Sequence, residues 1–271
     1  MNAIFDFLGR HLAAYLSKPV KGAPPSATCN PHCLMMALKP GDVLLVEGHS
    51  RISQAIKYLT QSTWSHAALY TGPLAGRAEP GGEPHVMVEA EVNEGVVSSP
   101  LSKYVGAHTR ICRPVGLGQG EIDALVAYVV ARLGIEYDMR NVIDLARYLM
   151  PTPPVPERFR RRMIAFGSGS PTQAICSTLI AQAFDSLNYP ILPVIEWVKG
   201  ASDERSGPGL VPEALAGMDR EILHVRHHSL YTPRDFDISP FFAIVKPTIE
   251  SDFDYRHLPW AEADRRGPPN K

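Results

Sequence analysis

Residues 41–70 read GDVLLVEGHSRISQAIKYLTQSTWSHAALY, and this stretch decides the predicted fold. A short apolar run at 42–46 follows a Pro-Gly turn signal, a pattern that is typical of a buried strand. Ser50 predicts the N-cap of a short helix whose apolar residues recur at helical spacing. A second strand is predicted at 66–70, and it ends at the turn residues that follow. The stretch therefore predicts a strand, a helix and a strand in succession.

A third strand is predicted at 86–90, after a turn-rich loop, and it should return antiparallel to the strand at 66–70. If partners across this pair have residue numbers that sum to about 157, His66 lies opposite a residue near 91 and diagonal to Glu89. An imidazole and a carboxylate then become neighbours.

The remainder of the chain adds further strands and helices to this pair. Apolar residues at 122–133 recur at the period of an amphipathic helix, and those at 175–187 do the same. A helical stretch at 138–149 stops at a proline-rich segment. Further short strands are predicted at 96–97, 110–113 and 241–245. The predicted fold class is α+β, with mainly antiparallel strands.

The composition is that of a globular chain without a basic excess. Of its 271 residues, 45% are hydrophobic, so the chain can bury a full core. The formal net charge of -1 makes nucleic acid a poor default partner. The N-terminus lacks the apolar centre of a secretory signal, and no stretch is apolar for long enough to span a bilayer, so a cytoplasmic location is expected. Cys29, Cys33, Cys112 and Cys176 are expected to be free thiols.

Residues 4–16 carry apolar side chains at helical spacing, which leaves two interpretations open. An interfacial helix would give the protein a peripheral membrane contact. A helix docked on its own domain explains the same spacing, and the polar face is not rich in lysine. A linker rich in Pro, Gly and Ser is predicted to follow at about 18–33.

Several motifs that carry well-known chemistry are absent from the sequence. It contains no glycine-rich phosphate loop, no G-x-S-x-G elbow and no H-E-x-x-H pair, which argues against the usual nucleotide, serine hydrolase and zincin sites. The segment CNPHC at 29–33 offers three zinc ligands but lacks a second pair nearby. His224, His227 and His228 lie in a segment that reads as a strand, so a metal role is not expected there either.

Cys176 is the candidate nucleophile. It lies near the N-terminal end of a predicted helix, where unpaired amide N–H groups and the helix dipole favour a thiolate. A thiolate also needs a base and a group that orients the base, and the predicted neighbours His66 and Glu89 supply both. Two alternatives stay open at this point: Cys176 as a small buried apolar residue, and His66 as an ordinary histidine at a strand end.

Five segments of the sequence, in this order, resemble a known family. They are GDVLLVEGHSRISQAIKYLTQSTWSHAALY, VMVEA, GIEYD, ICSTLIAQAF and YTPRDFDISPFFAIVKP. Together they resemble the circularly permuted papain-like cysteine hydrolases, the YiiX/YebB-like branch of the NlpC superfamily, and more distantly lecithin retinol acyltransferase. The resemblance implies a permuted papain-like fold, with an antiparallel sheet packed against helices. It also implies that His66 is the base, Glu89 the orienting acid and Cys176 the nucleophile, and that Tyr137 supports the oxyanion.

The chain is predicted to divide into three parts. Residues 1–37 form an N-terminal amphipathic helix and linker, 38–247 the permuted papain-like catalytic domain, and 248–271 a C-terminal tail. Loop-rich insertions are expected at 141–171 and 191–229, and substrate choice is expected to reside in them.

The function expected from these residues is a cysteine-dependent hydrolase or acyl transferase that acts on an amide, ester or thioester. Its substrate would be a small-molecule, peptide or lipid acyl compound, and the chemistry requires no metal or cofactor. The alternative is a non-catalytic binding or scaffold protein that retains the fold and holds an anionic partner with the arginine cluster between Arg158 and Arg162.

Overall fold

The computed structural model describes residues 30–91, 94–135, 175–198 and 220–250, together with positions 15, 17–20, 27, 254 and 256. Its helices and strands are, in chain order, α1 Pro31–Ala37, β1 Val43–Val46, α2 Arg51–Thr60, β2 His66–Tyr70, β3 His85–Glu91, β4 Gly95–Pro100, β5 Thr109–Pro114, α3 Gln119–Val130, α4 Ile175–Asp185, β6 Val194–Val198, β7 Arg220–His224, α5 Pro233–Asp237, β8 Phe242–Val245 and α6 Pro247–Glu250. Short 3-10 turns lie at Leu101–Tyr104 and His228–Leu230.

A six-stranded sheet organises the described part of the chain. Its strand order is β4-β3-β2-β1-β5-β8, and every neighbouring pair is antiparallel. The strand β1 lies inside the sheet and is buried along its whole length, which explains why its sequence is a continuous apolar run. The predicted α+β fold class, with an antiparallel sheet packed against helices, is confirmed.

The sheet buries apolar side chains on both faces because alternate residues of each strand point to opposite sides. On the first face, Val43 and Leu45 of β1 pack with the buried residues of α3 and α4. On the second face, Leu44 and Val46 pack with α1 and the turn at Leu101–Tyr104. The two faces of the sheet thus carry two separate apolar cores.

The connection from β1 to β2 runs through α2 and is fixed at its start by serine contacts. Ser50 caps α2 by accepting a hydrogen bond from the backbone N–H of Ser53, as predicted. Gly48 donates its backbone N–H to Ser65 Oγ at 2.9 Å. A Cβ at Gly48 would lie 2.8 Å from Ser65 Oγ and closer still to Ser53 Oγ. A side chain is therefore not accommodated at Gly48 without a shift of the loop that leads to β2.

The pairing of β2 with β3 follows the predicted register. Ala68 lies opposite Glu89, and Leu69 lies opposite Val88. The pair is part of a ladder that continues through β4, where Glu89 lies opposite Val97. The sequence-based expectation that His66 is diagonal to Glu89 is thereby confirmed.

Two segments differ from the sequence-based expectation. The helix α1 begins at Pro31, inside the stretch predicted as a linker. Asn30 caps this helix by accepting a hydrogen bond from the backbone N–H of His32, and proline is favourable in the first helical turn.

The predicted insertion 191–229 was expected to be loop-rich, but β6 and β7 within it form a separate two-stranded antiparallel sheet. Cross-strand pairing thus supplies order that the Pro- and Gly-rich composition does not predict.

Several other expectations lie outside the described residues. They are the helical stretch at 138–149, the insertion at 141–171, Cys29, the cluster between Arg158 and Arg162, and the segment 4–16 apart from Tyr15. The Tyr15 ring packs under the guanidinium of Arg51, with 3.9 Å from Cζ to the ring centroid. Within the described residues, no helix combines the length and hydropathy that crossing a membrane requires.

Candidate active site

His66 and Glu89 form a close pair at the sheet. His66 is the first residue of β2, and Glu89 lies within β3. Their side chains meet at 2.6 Å, between His66 Nε2 and Glu89 Oε2. The Glu89 side chain is fully buried, whereas 21% of the His66 side chain is exposed. The acid is therefore shielded from water while the imidazole still reaches the surface.

Glu89 is held by two further donors besides His66. Ser99 of β4 donates to Glu89 Oε1 at 2.5 Å, and Lys103 Nζ lies 2.7 Å from the same oxygen. Ser99 Oγ also lies 3.3 Å from the buried Tyr104 hydroxyl. Both carboxylate oxygens of Glu89 are thus satisfied, as a buried charge requires.

The electrostatic surroundings keep Glu89 ionised. Burial by itself would raise the pKa of Glu89, but the hydrogen bond and charge of His66, together with Lys103, hold that pKa well below its ordinary range. Burial likewise disfavours the charged form of Lys103, yet Glu89 and Glu91 outweigh it and raise the Lys103 pKa. An ionised Glu89 only accepts hydrogen bonds, so His66 donates from Nε2 and its basic lone pair is on Nδ1.

One group of potential metal ligands occurs in the described part of the chain. It consists of His66, Glu89 and Glu91, whose ligand atoms lie within 4.8 Å of one another. The Lys103 ammonium bridges the two carboxylates, at 2.7 Å from Glu89 and 2.6 Å from Glu91. The position of a cation is thus taken by a side chain of the protein, and His66 Nε2 is bonded to Glu89. The donor set in this arrangement does not fit a metal ion.

The other histidines considered above make ordinary contacts. His224 Nε2 lies 2.7 Å from Glu196 Oε2 across the small sheet. The strand predicted for this segment is confirmed only as far as His224, where β7 ends, because His228 begins a 3-10 turn that His227 caps. The His227 and His228 rings stack with 4.0 Å between centroids. These contacts leave the three histidines apart from any cluster of metal ligands within the residues described.

Cys176 is the second residue of α4, in the N-terminal turn, as the sequence predicts. The helix packs against β2 and β3 and buries Leu179, Ile180 and Phe184 in the core of the first face. The side chain of Cys176 lies outside what the structure describes, and so does the whole of Tyr137. The structure thus brings His66 and Glu89 together, and the meeting of Cys176 with His66 stays a prediction.

The position of His66 sets the direction from which a thiol can approach it. His66 lies opposite Val46 in the ladder and shares its side of the sheet, the second face. The helix α4 packs on the first face. A sulfur from the start of α4 has to meet His66 around the end of the sheet, where β2 begins.

Two contacts connect the start of α4 with that end of the sheet. Ser177, the residue after Cys176, donates its hydroxyl to the backbone oxygen of Tyr231 at 2.9 Å. Tyr231 leads into α5, whose last residue Asp237 accepts the indole N–H of Trp64 at 2.9 Å. Trp64 lies two residues before His66, the first residue of β2, so these contacts tie the first turn of α4 to the region where His66 lies.

Two residues of the site, Ser99 and Lys103, were not identified from the sequence. Ser99 lies opposite Met87 on β4, two positions along from the partner of Glu89. Pairing the predicted strand at 96–97 with the strand that carries Glu89 would have placed Ser99 near Glu89. Lys103 lies in the 3-10 turn after β4, which brings its ammonium back to Glu89. That return depends on tertiary structure and leaves no periodic signal.

The cysteines that the structure describes in full are not part of a disulfide, as expected. They are Cys33, which is half-buried, and Cys112, which is buried in β5. Burial raises the pKa of the Cys112 thiol far above its ordinary range, so this residue is a poor nucleophile.

The chain is similar to known proteins in three comparisons. Residues 37–148 match the family described as permuted papain-like amidase enzyme, YaeF/YiiX, C92 family. The crystal structure of the metalloprotein yiiX from Escherichia coli O157:H7 is 18% identical and covers 78% of this chain and 97% of that one, with a TM-score of 0.42. The Holliday junction branch migration complex subunit RuvB of Chlorobaculum parvum is 23% identical over 158 residues, which are 57% of this chain and 45% of that protein. The chain spans less than half the length of this curated relative.

The family match covers the described pair and supports a hydrolytic amidase. His66, Glu89 and Tyr137 lie within the matched residues, and Cys176 lies beyond them. The resemblance seen in the sequence motifs is thereby confirmed: residues 37–148, which are less than half of the chain, match the model of the permuted papain-like amidase family YaeF/YiiX.

Proposed function

We propose that the protein is a cysteine-dependent amidase in which Cys176 is the nucleophile, His66 the general base and Glu89 the residue that orients His66. The observation that carries this proposal is the 2.6 Å contact between His66 Nε2 and the fully buried Glu89 carboxylate. A structural histidine at a strand end needs no buried, ionised acid behind it. Keeping such a charge buried is costly, and this cost is expected where the charge serves a function.

The tautomer that Glu89 selects is the one that a general base needs. The carboxylate accepts the Nε2 proton, so Nδ1 carries the lone pair that takes a proton from a thiol. When Nδ1 becomes protonated, the imidazolium is stabilised by the negative charge of Glu89. The contacts of Ser99 and Lys103 fix the carboxylate, so these two are positioning residues.

The reaction then proceeds in two halves. The thiol proton of Cys176 moves to His66 Nδ1, the sulfur forms a bond to the acyl carbon, and the carbonyl π electrons move to oxygen. Collapse of this intermediate breaks the bond to the leaving amine, which receives the proton from His66. Water, deprotonated by the same nitrogen, attacks the thioester and releases the acid and the thiol.

The oxyanion is stabilised in this proposal by backbone N–H groups at the start of α4. Tyr137 is assigned a supporting role by the family resemblance alone. The same attack serves an ester or a thioester, and an acceptor other than water in the second half makes the protein an acyl transferase. The expected chemistry requires no metal or cofactor.

Alkylation with iodoacetamide over a pH series tests the nucleophile. We expect Cys176 to react at neutral pH faster than Cys33, Cys29 and Cys112, with peptide mass spectrometry identifying the modified residue. Cys112 is an internal reference because its thiol is buried. Uniformly slow modification of all four cysteines would instead favour a non-catalytic scaffold that keeps the fold.

Substitution of the base tests the pairing. His66→Ala should shift the pH at which Cys176 is alkylated to higher values, because the imidazole no longer takes the thiol proton. The matched control is His85→Ala, since His85 also lies on the sheet but bonds to Ser98 and Glu79. An unchanged pH profile in His66→Ala would remove His66 from the mechanism.

A further inference from the structure

A polar cleft opens beside the start of β2. Its volume is about 610 Å³, and its lining includes Trp64, Arg110, Arg234 and Asp237. Trp64 lies two residues before His66, and two residues of chain span at most about 7 Å. The cleft therefore borders the segment of chain that leads directly into the proposed catalytic base.

The two carboxylates in the cleft already have partners. Glu47 accepts from Lys57 Nζ at 2.9 Å and lies 2.7 Å from His108 Nδ1. Asp237 accepts from the Trp64 indole at 2.9 Å and from Arg110 at 2.5 Å. These contacts fix the shape of the cleft and leave little affinity for an added cation.

Arg234 differs from the other cations in the cleft. Its Nη1 donates one hydrogen bond to the backbone oxygen of Thr60 at 3.2 Å. Within the part of the chain that the structure describes, Arg234 forms no ion pair, whereas Lys57 and Arg110 each do. Three cations and two carboxylates line the cleft, which leaves at least one positive charge in excess.

We infer that this cleft binds a carboxylate group of the substrate and that Arg234 is the residue that holds it. A guanidinium has a planar set of donors that matches a carboxylate. Glu47 and Asp237 would repel a dianion such as a phosphate monoester, so a monoanion fits the charge better. This inference rests on the proposed function and names its substrate class: an acyl amino acid or peptide with a free carboxylate near the bond that is cleaved.

Binding of a small carboxylate to the protein tests the inference without any turnover. The probe is N-acetylglycine, and the control is its neutral N-methylamide. The readout is the indole N–H signal of Trp64 in a nitrogen-proton correlation spectrum, assigned with Trp64→Phe, because this N–H bonds to Asp237 in the cleft. We expect a saturable shift with the acid and no such shift with the amide. Equal shifts with both probes would overturn the inference, and this comparison needs no variant at Arg234.

Two variants that each remove one positive charge then distinguish a specific contact of Arg234 from the general effect of the positive charge in the cleft. Arg234→Gln should weaken the dissociation constant of N-acetylglycine at least tenfold. Lys57→Gln, which removes a cation already paired with Glu47, should change it less than threefold. Equal losses in the two variants would assign the effect to net charge and remove Arg234 from its role. Circular dichroism and urea unfolding report that each variant is folded.

The outcome is distinguishable from a failure of the proposed function. Carboxylate binding reports on the cleft, and alkylation reports on Cys176. Saturable binding in a protein whose Cys176 is inert would keep the carboxylate site and reject the amidase. An activated Cys176 without selective binding of the acid would keep the amidase and reject the cleft as its specificity site.

Discussion

Replacing Glu89 by Gln changes one oxygen of a buried carboxylate to an amide nitrogen and leaves the shape almost unchanged. Ser99 and Lys103 both donate to Oε1, so the amide oxygen is expected to take that place. The amide nitrogen then faces His66 Nε2 as a donor. His66 can accept this hydrogen bond only in the opposite tautomer, with its proton on Nδ1. The variant should therefore present a proton where the proposed mechanism requires a lone pair.

The size of the effect on stability follows from the burial of the two partners of Lys103. Glu89 is fully buried, and removal of one partner of a buried ion pair costs about 3 kcal/mol. Glu91 is 37% exposed and contacts the same ammonium at 2.6 Å. An exposed pair contributes less than about 1 kcal/mol, so Glu91→Gln is a matched control with a small expected effect.

Urea unfolding of both variants measures these free energies, and the alkylation rate of Cys176 measures the chemistry. We expect Glu89→Gln to be less stable by about 3 kcal/mol and to lose the fast alkylation at neutral pH. Glu91→Gln should keep both properties. If Cys176 in Glu89→Gln is alkylated as fast as in the unmodified protein, the tautomer proposed for His66 is wrong, whatever the change in stability.

Three further predictions concern stability alone and are checked by urea unfolding. The pKa of Glu89 is held below its unfolded value of 4.5, so the unfolded state takes up this proton at a higher pH than the folded state does. The free energy of unfolding should therefore fall as the pH drops below about 4.5, and it should fall less steeply in Glu89→Gln. An equal pH dependence in the two proteins would contradict this prediction. Gly48→Ala should cost about 2 kcal/mol because its Cβ meets two serine hydroxyls, whereas Gly81→Ala, with open space around it, should stay within about 0.5 kcal/mol. Thr178→Val should be neutral or stabilising because the buried Thr178 hydroxyl lacks a hydrogen-bond partner among the residues described. Ser177→Ala should instead lower the free energy of unfolding by about 1 to 2 kcal/mol, because it removes a buried hydrogen bond.

The strands and the pairing of His66 with Glu89 could be predicted because they depend on local signals. Each strand near the site is an apolar run bounded by turn residues, and the turn-rich loop after β2 limits how β3 can return. Once that register is fixed, the period of two places His66 and Glu89 on the same side.

Other features could not be predicted from such signals, or were overlooked. The helix α1 has an Asn30 N-cap and a proline in its first turn, which are recognisable signals that the high Pro, Gly and Ser content obscured. The strands β6 and β7 are separated by more than twenty residues of chain, so their pairing has no local signature. The bridge from Lys103 to Glu89 and Glu91 depends on how a short turn folds back on the sheet.

The order of strands in the sheet has a consequence for how the protein folds. In the pair of β5 with β8, Ile111 lies opposite Val245, so a loop of roughly 130 residues must close before the last edge of the sheet exists. Contacts this distant in sequence slow folding, and on the ribosome they wait until the residues between β5 and β8 have been made. Until then the outer edge of β5 is unpaired and open to association with other chains. Newly made protein is therefore expected to depend on molecular chaperones more than its size alone would suggest.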